Sequence, residues 1–413
     1  MTRHLYYEDS YLTKFTAAVL EQFNVGGKPA VVLDQTAFYP TSGGQPCDAG
    51  LLGGARVESV EEDASGRIVH ILDSPPSPGE VQGTIDWERR FDHMQQHTGQ
   101  HILSQAFIRV SQAATLSFHL GQETSTIDID LTRQDQSALT AAEDLAARIV
   151  FEDRPTRILN VTRHELNALG VRKESHREGE IRVIDIDGFD RSPCGGTHVR
   201  RCGEIGLILI LRCERYKGGT RVEFVCGGRV LKEFRKDHGA LKELGQLFSA
   251  HPHELPQLTE KFLLERSILL REKKQLEDQI LEMEAQGLLK RADQAGGVLT
   301  VRESYSDRKI ENLKALAQKV TASPGTLAIL FAVHETAQVV VARNADVPGD
   351  CGAAIKQLAG KLGGRGGGKP ELAQAGGIAI SAIEGWSQGL TDYFRTCLHE
   401  KNRQQQRNNA PPD

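Results

Sequence analysis

MQQHTGQHILSQAF, residues 94–107, is the stretch on which the reading of this chain turns. It reads as a helix, and it sets His97 and His101 four positions apart. Four residues are close to one helical turn, so both imidazoles project from one face and can share one ion. The spacing permits a metal without establishing one, because a lone histidine pair on a helix is more often incidental than ligating. His93 lies one further turn back on the same face. Three successive turns span about 12 Å, too far for all three rings to reach a single ion, so His93 ranks below the other two.

A search for further soft or borderline donors leads to SPCGGTHV, in which Cys194 and His198 also stand four apart. Gly195 and Gly196 let the backbone between them take a tight turn that aims both side chains inward. Either pair alone is a weak signal. Together they make a His, His, Cys, His set suited to one tetrahedral Zn²⁺ per chain. Cys202 and Cys213 read as free thiols, and Cys47 is distant in sequence.

Outward from these motifs the chain reads as α+β. Residues 1–90 alternate short apolar runs (PAVVLD, ARVESV, RIVHIL) with Gly and Pro clusters, the punctuation of a small N-terminal β-barrel. Residues 91–228 mix the histidine helix, a second helix near 135–151 and strands such as STIDIDL and TRVEFVC, the pattern of an α+β core. Residues 229–295 are rich in Leu, Glu and Lys at helical spacing and read as a helical or coiled-coil arm. Residues 296–400 read as a separate C-terminal α/β domain, and 401–413 as a disordered tail.

At 413 residues, 39% hydrophobic and 25% charged, the composition is that of an ordinary multidomain globular protein. No apolar run has the length of a membrane span, and TRHLYYEDSYLTKF lacks the core of a signal peptide, so a cytoplasmic location without membrane contact is expected. Seven scattered cysteines then read as thiols, with no disulfide framework. Net charge is −5, yet ten Lys or Arg against four Glu fall between Arg200 and Lys236. That run is either a phosphate-contacting surface or a solvated face balanced by acids elsewhere.

FYPTSGGQPCDAG, MQQHTGQH, SFHLG, SPCGGTHV and GGRGGGKPELAQAGG follow one another in the order seen in the editing region of alanyl-tRNA synthetases. The chain resembles the large form of the freestanding AlaX-type alanyl-tRNA editing proteins over essentially its whole length. The resemblance implies an editing core shared with the second additional domain of threonyl-tRNA synthetase, and a C-terminal DHH-associated domain. It implies zinc held by His97, His101, Cys194 and His198. It also implies hydrolysis, in trans, of tRNA(Ala) wrongly charged with serine or glycine. Aminoacylation is not expected, since FYPTSGGQ begins at Phe38 with no synthetase domains ahead of it. A serine is alanine plus a hydroxyl, which a synthetic pocket rejects poorly, so a second sieve has a purpose.

Four protein ligands close a tetrahedron, the signature of a structural site, whereas catalytic zinc keeps a position open. Two mechanisms follow: Cys194 or a neighbouring histidine yields to water or substrate, or zinc fixes the pocket while another group positions water. His119 in SFHLG is the candidate for that group, with a hydrogen-bonded structural histidine as the alternative. Thr41, Ser42, Gly43 and Gly44 are expected to form the substrate wall, and by resemblance the Thr41 hydroxyl bonds the seryl hydroxyl. Lys369 is followed by Pro370, which excludes a GxxxxGK[ST] phosphate loop; the resemblance implies tRNA contact by Arg365 and Lys369 instead. The rival reading is a non-catalytic tRNA-binding protein with a structural zinc. A homodimer through the arm is a further option.

Overall fold

Six short strands, β1 (Lys14–Val25), β2 (Lys28–Leu33), β3 (Gly50–Leu52), β4 (Ala55–Glu62), β5 (Ile68–Leu72) and β6 (Glu80–Ile85), close into a barrel in the order β1-β2-β5-β4-β3-β6. Alternation decides what lies inside: along β4, Ala55 and Val57 are buried while Arg56 and Glu58 face out. Val31, Leu33, Leu52 and Leu72 join them around Phe15 and Phe38. The protein is described here from a computed structural model covering residues 2–132, 135–172, 179–295 and 297–408, which divides into two units, Met1–Pro252 and His253–Asp413.

Helix α1 (Trp87–Ser111) follows the barrel and carries the histidine pair. Asp86 caps it by accepting from Arg89 N at 3.2 Å, and the chain leaves it through Gln112 in the left-handed region, φ 59°. From Met94 to Leu103 every residue is buried, so this is not a surface helix with one wet side. Its apolar members Met94, Ile102, Leu103, Ala106 and Phe107 pack with Ile127, Ile149 and Phe224. Its buried amides are satisfied by backbone: Gln96 donates to Cys226 O (2.9 Å) and accepts from Cys226 N (2.8 Å), and Gln95 donates to Glu204 O (2.8 Å). At Gly99 a Cβ would collide with Cys226 Sγ, so the close approach there requires glycine.

A four-stranded sheet and a three-stranded sheet complete this unit. The first contains β7 (Thr115–Leu120), β8 (Ser125–Ile129), β12 (Ile208–Tyr216) and β13 (Gly219–Cys226), in the order β12-β13-β8-β7, with helix α2 (Gln136–Phe151) packed through Leu139, Ala142 and Ile149. The second is antiparallel β9 (Thr156–Val161), β10 (Ile181–Ile186) and β11 (Asp190–Pro193). Arg90 of α1, fully buried, ties the helix to the barrel: it ion-pairs with Asp48 and donates to Ser10 O (2.7 Å) and Ala37 O (2.6 Å).

The stretch expected to form an arm is two helices, α3 (Gly228–Phe248) and α4 (Leu255–Lys290), and the boundary between the units falls between them. The second unit is an α/β sandwich. Its sheet runs β14 (Asp293–Ala295), β15 (Val298–Tyr305), β16 (Thr326–Val333), β17 (Ala337–Arg343), β19 (Leu372–Ile378), β18 (Arg365–Gly368) in spatial order, with β15 and β16 parallel. Helix α5 (Ile310–Thr321) and the end of α4 cover one face, while α6 (Cys351–Leu362) and α7 (Ile383–Asn408) cover the other. Helix α7 extends into the stretch that composition assigned to a disordered tail; residues 409–413 lie outside the described ones. No helix among the described residues is long and apolar enough to cross a membrane.

Candidate metal centre and cavity

His97, His101, Cys194 and His198 converge. One donor atom from each lies within 4.8 Å of all the others. Cys194 Sγ is 3.3 Å from His97 Nε2 and 3.4 Å from His198 Nε2, close to the roughly 3.6 Å separating N and S donors around a tetrahedral zinc. Two elements bring them together: α1 supplies His97 and His101, and the turn after β11 supplies Cys194 and His198. Arg182 of β10 holds that turn by donating to Cys194 O (2.7 Å) and Gly196 O (3.0 Å). A Cβ on Gly196 would run into the His97 ring, so glycine is what lets the turn close over the helix.

Each histidine has its other ring nitrogen occupied. His97 Nδ1 meets Gln45 Oε1 at 2.7 Å, His101 Nδ1 meets Asp190 Oδ2 at 3.1 Å, and His198 Nδ1 meets Thr98 Oγ1 at 3.1 Å. Every Nε2 is thereby presented toward Cys194, the arrangement that ligating imidazoles require. Gln45 is itself fixed, donating to Thr197 Oγ1 (2.9 Å) and accepting from Thr197 N (3.2 Å). Asp190 is held by Arg172 at 2.8 Å.

The electrostatics match a cation. Burial opposes ionisation of the Cys194 thiol, but the facing imidazoles of His97 and His198 outweigh it and hold the thiol well below its ordinary value. Burial brings His198 down to about 3, against the opposing pull of the Cys194 sulfur. For His101 burial also pulls downward, and the hydrogen bonds to Asp190 and Cys194 overcome it and raise the value. A thiolate among imidazoles with committed Nδ1 atoms is a fit donor set for zinc.

Beside this cluster opens a cavity of about 230 Å³, lined by His97, His101 and Cys194, by Tyr7, Tyr39, Ser42 and Gly43, and by Gln100, Thr115, Phe118 and Arg172, among others. It is small against the roughly 300–1,000 Å³ of drug-sized sites. Phe118 packs on His97 with ring centroids 5.1 Å apart.

Two expected groups are elsewhere. His119 is exposed and absent from the cavity lining, although its strand neighbours Thr115, Leu116, Ser117 and Phe118 all line it. Thr41 is exposed too, and its hydroxyl accepts from Cys47 N at 3.2 Å within its own loop. Of the expected substrate wall, Ser42 and Gly43 reach the cavity, while Gly44 is exposed and lies against Phe118 of β7. Cys47, His93, Cys202 and Cys213 stay outside the cluster; burial pushes the last two thiols up to about 11. The basic run is largely neutralised: Arg200, Arg201, Arg212, Arg221, Arg229, Lys232 and Lys236 each pair with an acid. In the other unit Arg365 and Lys369 are exposed, and Arg365 lines a groove with Gly366, Gly367 and Gln374. The sequence reading missed Gln45, Thr98, Asp190, Gln100 and Arg172. The available signal was polarity: Thr98 and Gln100 interrupt a helix that is buried throughout, and Asp190 stands four positions before Cys194.

Residues 181–223 match the family described as the threonyl and alanyl tRNA synthetase second additional domain, and residues 296–396 match the DHHA1 domain. The alanyl-tRNA editing protein AlaX-L of Pyrococcus horikoshii is 31% identical over 387 residues, 91% of this chain and 94% of that protein. An alanine–tRNA ligase of Pyrococcus furiosus is 33% identical over 394 residues, 90% of this chain but 42% of the ligase. The chain thus spans about two fifths of the length of the ligases it matches.

Proposed function

Because this chain belongs to the AlaX-type alanyl-tRNA editing family, we propose that it acts in trans as a zinc-dependent deacylase. Its substrate is tRNA(Ala) mischarged with serine, and with glycine. The observation that carries the reading is the convergence of His97, His101, Cys194 and His198 beside a small cavity, which the first three of them line.

Zinc held by these four residues would supply Lewis acidity toward the ester carbonyl or water. The chain's own groups do the rest. Ser42 and Gly43 of the barrel loop and Phe118 of β7 form walls that limit the water reaching the ester. Arg172, already paired with Asp190, keeps Nη1 without a partner among the described residues and offers it to an anionic group at the 3′ terminus. Cleavage adds water oxygen to the ester carbon and returns a proton to the ribose oxygen, releasing the amino acid. Exposed Arg365, at the start of the glycine-rich edge strand β18 of the second unit, and exposed Lys369, just after it, are proposed contacts for the tRNA backbone. The recurrence of exposed Leu269, Leu276 and Met283 every seven residues along α4 is the basis for proposing a homodimer through that helix. A cytoplasmic location accords with such a role in translation.

Incubation of the full chain with seryl-, glycyl- and alanyl-tRNA(Ala), with and without a chelator, tests the reading. Rapid loss of the seryl ester, abolished by chelation and restored by Zn²⁺, is the expected result. Binding without turnover would instead leave a tRNA-binding protein with a structural metal.

A further inference from the structure

The cavity wall carries a hydrogen-bonded trio that the metal cluster does not use. Gln100 lies on α1 between His97 and His101 and is 5% exposed. Its Nε2 donates to Ser104 Oγ at 2.7 Å, and Thr115 Oγ1, at the start of β7, donates to the same oxygen at 2.7 Å. Ser104 is fully buried, whereas Gln100 and Thr115 line the cavity. Among the described residues nothing bonds the amide oxygen of Gln100, and nothing donates to the Thr115 hydroxyl. Gln100 Oε1 is not among the side-chain atoms buried without a partner, so it meets the cavity and can accept a hydrogen bond from what the cavity holds.

We propose that Gln100, steadied by Ser104 and Thr115, is the specificity-determining residue that reads the seryl hydroxyl. A hydroxyl both donates and accepts, so it completes the bonding of the amide whichever end faces the cavity. The methyl of an alanyl ester in the same place would displace water from Gln100 and return no hydrogen bond, which is the condition under which a polar site rejects an analogue strongly. The role expected of Thr41 passes to Gln100, whose side chain reaches the cavity as that of Thr41 does not. The inference rests on the deacylase reading above.

The test is single-turnover hydrolysis of seryl-, glycyl- and alanyl-tRNA(Ala) by the full chain, its Gln100→Met variant, which keeps length and lacks the amide, and its Thr115→Val variant. Metal content and melting temperature are measured alongside. Gln100→Met should lower the ratio of seryl to glycyl hydrolysis by roughly 10–100-fold, because the glycyl group offers nothing to read. Thr115→Val should show a smaller loss of the same selectivity, and it carries the test if Gln100→Met is unstable. Parallel losses on seryl and glycyl esters, or none, would overturn the assignment and leave the deacylase reading intact. Failure of the unaltered chain to cleave the seryl ester would overturn both.

Discussion

Gln45 Oε1 lies 2.7 Å from His97 Nδ1, so a barrel loop fixes the orientation of a histidine on a helix 52 positions later. The barrel therefore helps to build the donor cluster as well as the cavity wall, which Ser42 and Gly43 line. Arg90 strengthens the same connection by holding the loop carbonyl of Ala37 and the carboxylate of Asp48 against α1.

Groups that orient ligating imidazoles typically contribute 10–100-fold to metal affinity. Gln45→Ala and Asp190→Ala should each weaken zinc binding by about that factor, read by competition with a chromogenic chelator. Unchanged affinity in both would mean that the imidazoles need no outer support.

Arg90 and Asp48 are both fully buried. Removing one partner strands a charge in the interior, so Arg90→Met alone should cost about 3–5 kcal/mol of stability, and Arg90→Met with Asp48→Leu distinctly less. Denaturant unfolding of the two variants gives the comparison. Equal losses would place the contribution of Arg90 in its bonds to Ser10 and Ala37 rather than in the ion pair.

His70 is buried in the barrel with Nδ1 3.4 Å from Val31 O and Nε2 2.8 Å from Thr36 Oγ1. A carbonyl only accepts, so the proton sits on Nδ1 and Nε2 accepts from the threonine. Burial brings this ring from 6.5 down to about 4, which keeps it neutral in the fold. Between those values the unfolded chain binds a proton that the folded chain does not. Stability from this residue is therefore complete above pH 6.5 and falls as pH drops toward 4, by at most about 3 kcal/mol. His70→Gln cannot titrate, and its stability should fall less steeply over that interval; identical slopes for the two proteins would exclude His70 as the source.

The exposed positions of His119 and Thr41 make His119→Ala and Thr41→Val near-silent for hydrolysis, each within about threefold on the seryl ester. A loss of a hundredfold in either would falsify the cavity assignment, since neither side chain lines it.

The α+β class, the barrel strands and the four donors were legible in the residues because each depends on local pattern: alternation of period two, helical spacing, and two pairs set four apart. The placement of His119 could not be read from its motif: the residues do not say where along β7 the cavity ends, and the fold ends its lining at Phe118. Gln45, Asp190 and Gln100 carry no such periodic mark. A glutamine becomes an orienting or reading group only when a turn, a helix and a strand distant in sequence surround it and remove the water it would otherwise bond. That desolvation is a property of the packed tertiary structure. The sequence by itself determined which donors exist; the packing decided which atoms face the cavity, and hence which of them can touch a substrate.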